Sequence, residues 1–323
     1  MKLVTFRAAE RDRLGALGSG GDVIDLNAAY AVMAARRGEP AALALSNARL
    51  PADLVGMLEL GSAGLEAAHE ALAFAEALER HDPDRHAISF PPDGVRALPP
   101  VPRPPKIVCV ARNYAEHAEE VGREVPTIPI LFARFPATLV AAGEPVVRPA
   151  VSDQLDWEGE LAVVIGRGGR AIRRADAMEH VAGYSILNDV TVRDYQFRVA
   201  QYTAGKNFSR SAPFGPYLVT ADEIPDVDEL EIVTEINGEE MQRAKTGTMI
   251  FDIPTLIEHI SEFIELEPGD VIATGTPAGV GFRRTPPRFL RPGDRMRISI
   301  TGLGALENPV VDEDGPVGEQ PPR

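Results

Sequence analysis

Apolar positions along the chain fall into two textures separated by a proline-rich stretch. Before that stretch, MKLVTF reads as a strand, Gly18–Asp22 (GSGGD) as a turn, and VIDLNAAY as a second strand running into a helix. Gly64–Arg80, GLEAAHEALAFAEALER, combines strong helix formers with an apolar stripe and predicts an amphipathic helix. Pro91–Pro105, PPDGVRALPPVPRPP, then carries seven prolines in fifteen residues. Proline removes a backbone donor and fixes φ, so this run cannot lie inside a helix or a central strand. It marks the expected boundary between a small N-terminal α+β domain (residues 1–100) and a larger second domain (residues 101–323).

From Lys106 onward the pattern changes to short β-branched runs separated by Gly and Pro: KIVCVA, PILFARF, LAVVIG, YLVTA, LEIVTEI, DVIAT and RMRISI. Helical spacing is confined to Tyr114–Val121, Ala175–His180, Val190–Ala200 and Pro254–Ile264. Many strands with few crossover helices predict a curled, mostly β domain rather than a doubly wound sheet. The fold class expected for the whole chain is mixed β/α+β. The terminal DEDGPVGEQPPR reads as a frayed tail.

Bulk properties narrow the partners. A formal net charge of −15 disfavours nucleic acid and anionic membranes, both of which attract basic surfaces. It also means that any acidic substrate needs a local positive centre inside a negative molecule. The single cysteine, Cys109, excludes an intramolecular disulfide and is most simply a small buried strand residue. The N-terminus carries charges where a secretory signal needs an apolar core, and no apolar run has membrane-spanning length. A cytoplasmic protein is the expectation.

Chemistry concentrates in five segments. In LDWEGELAVVIG, Glu158 and Glu160 sit two apart at the mouth of an apolar strand, so both carboxylates share a face. Alternating charge also suits an exposed strand edge. If the strand is buried, however, two like charges there are unfavourable unless a cation lies between them. Asp189, in NDVTVRDYQ, ends the apolar stretch YSIL. Three oxygen ligands from two elements suit Mg²⁺ or Mn²⁺, and the absence of CxxC, HExxH or a histidine pair disfavours zinc. In ARNYAEHAEEVG, His117 and Glu120 are three apart on a helix, a solvated surface pair or an oriented general base. Arg193 and Gln196 follow Asp189 at spacings that let all three share a helix face, and Lys206 lies in the loop GKNFSRSAPFGP. ATGTPAGVG (Ala273–Gly281) is either a tight turn or a loop whose amides and Thr274 or Thr276 hydroxyls meet an anion. The other five histidines, His69, His81, His86, His180 and His259, have surroundings that suggest surface roles.

Taken in order, KIVCVARNYAEHAEE, PILFARFP, LDWEGELAVVIG, ILNDVTVRDYQ, GKNFSRSAPFGP, NGEEMQ, LEPGDVIATGTPAGVG and LRPGD…ITGLGALEN resemble the fumarylacetoacetate hydrolase family. The resemblance covers Lys106 to Asn308 and falls on the bacterial branch of acylpyruvases and 2-hydroxyhepta-2,4-diene-1,7-dioate isomerases. It implies a β-sandwich roll, a homodimer, and Mg²⁺ (with Mn²⁺ or Ca²⁺ tolerated) on Glu158, Glu160 and Asp189. It further implies His117, Glu120 and Lys206 as catalytic residues, and Arg193, Gln196 and Thr276 as substrate-binding residues. The implied activity is Mg²⁺-dependent hydrolysis of a C–C bond in an acylpyruvate or similar 2,4-dioxo acid through an enolate, in aromatic compound catabolism. Isomerisation, decarboxylation or hydration of a hydroxymuconate-like diacid or oxaloacetate is the alternative, and a catalytically silent ligand-binding module is a further one. The chain departs from the family pattern at four places. Val110 stands where eukaryotic members place a fourth carboxylate, Ala111 replaces a glycine, Ser209 an aspartate, and Arg134 a lysine.

Overall fold

The computed structural model describes residues 1–79 and 81–313. Arg80, at the end of the predicted helix, and the predicted tail from Asp314 onward lie outside the described residues. Asp312, taken as tail, instead closes the strand Gly304–Asp312, where it pairs in register with Arg148 and accepts from its guanidinium.

A twelve-stranded sheet organises the molecule. Its path runs through Val23–Asp25, Arg11–Leu17, Lys2–Ala8, Ala212–Thr220, Val181–Asn188, Gly159–Ile165, Val271–Ala273, Ile107–Ala111 and Ile130–Arg134. A second sheet of five strands contains Glu231–Ile236, Arg295–Ile300 and Gly304–Asp312 and packs on one face of the first. All seven β-branched runs singled out in the catalytic region form strands or parts of strands. The mixed α/β architecture with several sheets agrees with the expected fold class.

Gly159–Ile165 lies at the centre and is buried along its whole length. Its side chains alternate by the period of two that a strand imposes. Ala162 and Val164 face a core shared with Leu3, Ile24, Leu26 and Cys109, whereas Leu161, Val163 and Ile165 face a core shared with Ile232, Leu256 and Ile298. A strand covered on both faces reads as an unbroken apolar run, which is why LAVVI shows no alternation. Helix Ile253–Phe263 covers the second core with Ile253, Leu256, Ile257 and Ile260, and Asp252 caps its first turn by accepting from Thr255 N.

Several local expectations change. Val190–Ala200 is not one helix: Thr191–Val192 pairs with Leu155–Asp156, and only Arg193–Gln196 forms a helical turn. The β-branched Val190–Val192 run favours extended backbone, and a pairing partner is at hand. Within the proline-rich run, Arg96–Leu98 forms a short strand on Lys2–Ala8, where the prolines on either side leave three free amides. Lys2 and Leu3 pair with Val219 and Leu218, so the hydrogen-bond ladder passes from the N-terminal region into the catalytic one without a gap. His180, assigned to the surface, is buried with Nδ1 on the Arg167 carbonyl oxygen.

Asn113 ties three segments together beside the site. Its amide donates to the carbonyls of Phe251 and Thr274, and its side-chain oxygen accepts from Phe251 N, all within 2.9 Å. Asn113→Ala leaves those backbone groups unpaired, and a loss of about 2–3 kcal/mol in urea-denaturation stability is expected. A loss below the error of the measurement would remove this cross-link from the account.

Candidate active site

The carboxylate cluster follows from strand register. Gly159 pairs with Asn188 and Glu160 with Leu187, and the ladder continues as Asp189 N donates to the Glu158 carbonyl. The residues that end one strand therefore stand beside those that begin its neighbour. Glu158, Glu160 and Asp189 each offer an oxygen, all three within 4.8 Å of one another, and all three side chains are buried. The even-numbered positions 158, 160, 162 and 164 share one face, so the site is the polar end of a face that is otherwise apolar core.

Three cations answer these acids. Lys206 Nζ donates to Glu158 Oε2 at 2.7 Å and to Asp189 Oδ2 at 2.5 Å. Arg193 donates from Nε to Asp156 at 2.8 Å and pairs through Nη1 with Glu158 Oε1 at 2.7 Å. Arg134, standing in the family's lysine position, pairs with the other Asp189 oxygen. Four buried acids (Asp156, Glu158, Glu160 and Asp189) thus face three buried cations. Glu160 is the one left over. It accepts from Gly275 N at 2.9 Å and has no cation within 4.0 Å among the described residues.

The electrostatic consequence is a split between neighbours. Burial pushes the Glu160 carboxyl well above the usual carboxylate range, and the facing Asp189 and Glu158 push it further. Burial acts on Glu158 in the same sense, but Lys206 and Arg193 outweigh it and hold that carboxyl down. Burial would lower the Lys206 ammonium, yet Asp189 and Glu158 raise it above its ordinary value, so it stays charged at neutral pH. A hard divalent cation fits what is present. The donors are all carboxylate oxygens, and the acid with no counter-charge is the one such an ion would satisfy.

His117 lies on the short helix Ala115–Glu120, buried, with Nδ1 at 3.2 Å from Glu120 Oε2. Glu120 is itself held, because its other oxygen accepts from Gly279 N at 3.0 Å and its carbonyl accepts from Arg283 Nε at 2.5 Å. His117, Glu158, Glu160, Arg193, Lys206 and Thr276 line one cavity of about 860 Å³, which Gln196 also borders. With Nδ1 directed at Glu120, Nε2 is the ring atom left for a ligand.

Two sequence readings resolve differently from their first form. Asp189, Arg193 and Gln196 do converge, but across a strand and a turn rather than along one helix face. The loop Ala273–Gly281 does bring backbone amides to anions, and those anions are the protein's own carboxylates. Gly275 N binds Glu160, Gly279 N binds Glu120, and Gly281 N and Phe282 N bind Asp156. Thr276 donates to the Gly159 carbonyl and accepts from Gln242, which fastens the loop to the central strand. Asp156 was missed as a site residue. Its one visible signal was a third acid in DWEGE at the same parity as the two glutamates. Arg134 appeared only as a departure from the family pattern, although a charge closing the apolar run PILFA is itself a pointer.

Comparison with known proteins places the chain in a family. The family described as fumarylacetoacetate (FAA) hydrolase C-terminal matches residues 106–311. A mitochondrial oxaloacetate tautomerase, fahd2 of Xenopus laevis, is 39% identical over 316 residues, covering 96% of this chain and 90% of that protein. Among solved structures, an HpcE protein of Mycobacterium smegmatis superposes with a TM-score of 0.78 at 35% identity, covering 97% of this chain and 100% of that one. The fumarylacetoacetate hydrolase of Exiguobacterium antarcticum gives a TM-score of 0.76 at 34% identity with the same coverage. On sequence and fold, the chain belongs to the fumarylacetoacetate hydrolase family.

Proposed function

We propose that this enzyme interconverts the enol and keto forms of a small 2-oxo dicarboxylate of the oxaloacetate kind, with Mg²⁺ as the resident ion. The observation that carries this reading is a histidine and an acid cluster facing one cavity, in a chain alignable over 96% of its length with an oxaloacetate tautomerase. The reaction needs nothing more than these. One O–H bond of the enol breaks, the C2=C3 electron pair takes a proton at C3, and C2=O forms, with no atom gained or lost.

Each residue has a part derivable from its setting. His117 Nε2 carries the proton at C3, with Nδ1–H held by Glu120 so that the ring keeps one orientation. Lys206, kept charged by Glu158 and Asp189, offsets negative charge developing on the 2-oxo oxygen. Arg193 is held by Asp156 and Glu158, but its Nη2 is buried without a partner, and it offers that donor to the C1 carboxylate. Gln196, fixed through its oxygen by Arg193 Nη1 at 2.9 Å, borders the same place. Mg²⁺ on Glu158, Glu160 and Asp189, or Mn²⁺ or Ca²⁺ by the same donor chemistry, would supply polarisation of the 2-oxo group.

Hydrolysis of an acylpyruvate is the second reading, favoured by the oriented His117–Glu120 pair, which would equally activate a water. Product analysis separates the two. Oxaloacetate enol absorbance should decay faster than the spontaneous rate with no pyruvate formed, while acylpyruvates should remain intact. Cleavage of an acylpyruvate into two acids at a comparable rate would reverse the order of the readings.

His117→Ala is expected to lower kcat for tautomerisation by about 10²–10⁴-fold while changing ligand affinity in calorimetry only a few-fold. A kcat within two-fold of wild type, by contrast, sinks the assignment of the proton carrier. Glu160→Gln should act on stability and ion binding in opposite directions. The amide keeps the bond from Gly275 N and relieves the repulsion from Asp189 and Glu158, so the ion-free protein should gain roughly 1–2 kcal/mol. The same change should abolish the rise in thermal midpoint that saturating Mg²⁺ gives the wild type. An undiminished Mg²⁺ shift would exclude Glu160 as a ligand.

A further inference from the structure

The inner cations are already committed. Lys206, Arg134 and Arg193 each contact buried carboxylates, so the floor of the cavity carries no net positive charge of its own. The outer wall differs. Arg112, Arg123 and Arg283 line the cavity, and among the described residues none has a carboxylate within 4.0 Å. In a chain of net charge −15 this is where uncompensated positive charge meets the cavity. Arg198, also on the wall, is stacked 3.4 Å from the Tyr195 ring centroid and lies 3.8 Å from Asp194, so it already has partners.

Two details mark the outer arginines as more than surface residues. Arg112 holds a left-handed backbone, φ 57°, and its Nε is buried with no hydrogen-bond partner. A non-glycine residue in that region is uncommon and costs energy that the surrounding structure must offset. A buried guanidinium edge without an acceptor is likewise unfavourable until something accepts from it. Arg283 donates Nε to the Glu120 carbonyl, and its Nη2 reaches to 4.0 Å from the site a Cβ would take on Gly122. Arg283 therefore touches the end of the helix bearing His117, next to Arg123.

We infer that Arg112, Arg123 and Arg283 form a subsite for the distal carboxylate of a 2-oxo dicarboxylate, setting preference for such substrates over 2-oxo monocarboxylates. This rests on the proposed tautomerase reading for the placement of the 2-oxo end. Because Arg283 also holds Glu120, a carboxylate seated there would bring together the wall and the helix that carries the proton carrier.

Pyruvate and oxaloacetate share the 2-oxo acid end and differ by one carboxylate, so the ratio of their dissociation constants reads the subsite alone. The probe is calorimetric titration of each in saturating Mg²⁺, on wild type, Arg123→Gln, Arg112→Asn and the double variant. Asparagine tolerates a left-handed backbone, and Arg123 is exposed, so both changes spare the fold. Wild type should prefer oxaloacetate at least ten-fold, each single variant should lose about ten-fold of that preference or all of it, and Arg123→Lys should regain part. A preference unchanged in the double variant, or absent in wild type, overturns the subsite. Binding and turnover fail separately. A ratio that collapses as expected without any tautomerisation keeps the subsite and removes the activity, and tautomerisation with an unchanged ratio does the reverse.

Discussion

Mutual repulsion among carboxylates packed into a dry interior is the constraint around which this molecule is arranged. Glu158, Glu160 and Asp189 are brought within 4.8 Å by the antiparallel register of two central strands, and that register is fixed by apolar packing on both faces. Shifting it by one residue would turn Ala162 and Val164 toward the wrong core, so the acids cannot move apart without unmaking the sheet. Arg134, Arg193 and Lys206 offset most of the repulsion and leave Glu160 uncompensated. Stability and chemistry are therefore opposed at one side chain, the usual signature of a site kept for what it binds rather than for what it holds together.

The glycine-rich segment after Val271–Ala273 extends the same logic outward. Its amides serve Glu160, Glu120 and Asp156 in turn, so one loop sets the orientation of the unpaired acid in the carboxylate cluster, the acid behind His117 and the acid that grips Arg193. Gly275 and Gly279 hold positive φ, and a Cβ on either would press against backbone of a neighbouring segment. Three functional parts are thereby referred to a single rigid piece of chain.

Much of this was legible beforehand because it depends on local period and composition. The strand runs, the helix over Pro254–Ile264 and the Glu158–Glu160 pair all follow from spacings of two or of three and four residues, which backbone geometry dictates. Asp189 was legible as the acid ending an apolar run. What escaped was set by tertiary partners. Thr191–Val192 became strand because Leu155–Asp156 lay alongside, and Arg96–Leu98 became strand because Lys2–Ala8 offered an edge. Asp156 was unreadable as an anchor, since the amides it serves lie more than a hundred positions later in the chain. Arg112 and Arg123 flank the helix Ala115–Glu120 while Arg283 lies far along the chain, and only folding shows all three around one opening.

The seam between the N-terminal strands and the central sheet has a consequence for how the chain matures. Lys2–Ala8 can pair early with Arg11–Leu17 and with Arg96–Leu98, but the amine of Met1 meets the Thr220 hydroxyl 219 residues away. Lys2 and Leu3 take their partners Val219 and Leu218 from more than two hundred positions further along the chain, so this ladder stays incomplete until that later segment is in place. Contacts that distant in sequence close slowly, and an open strand edge invites wrong neighbours in the meantime.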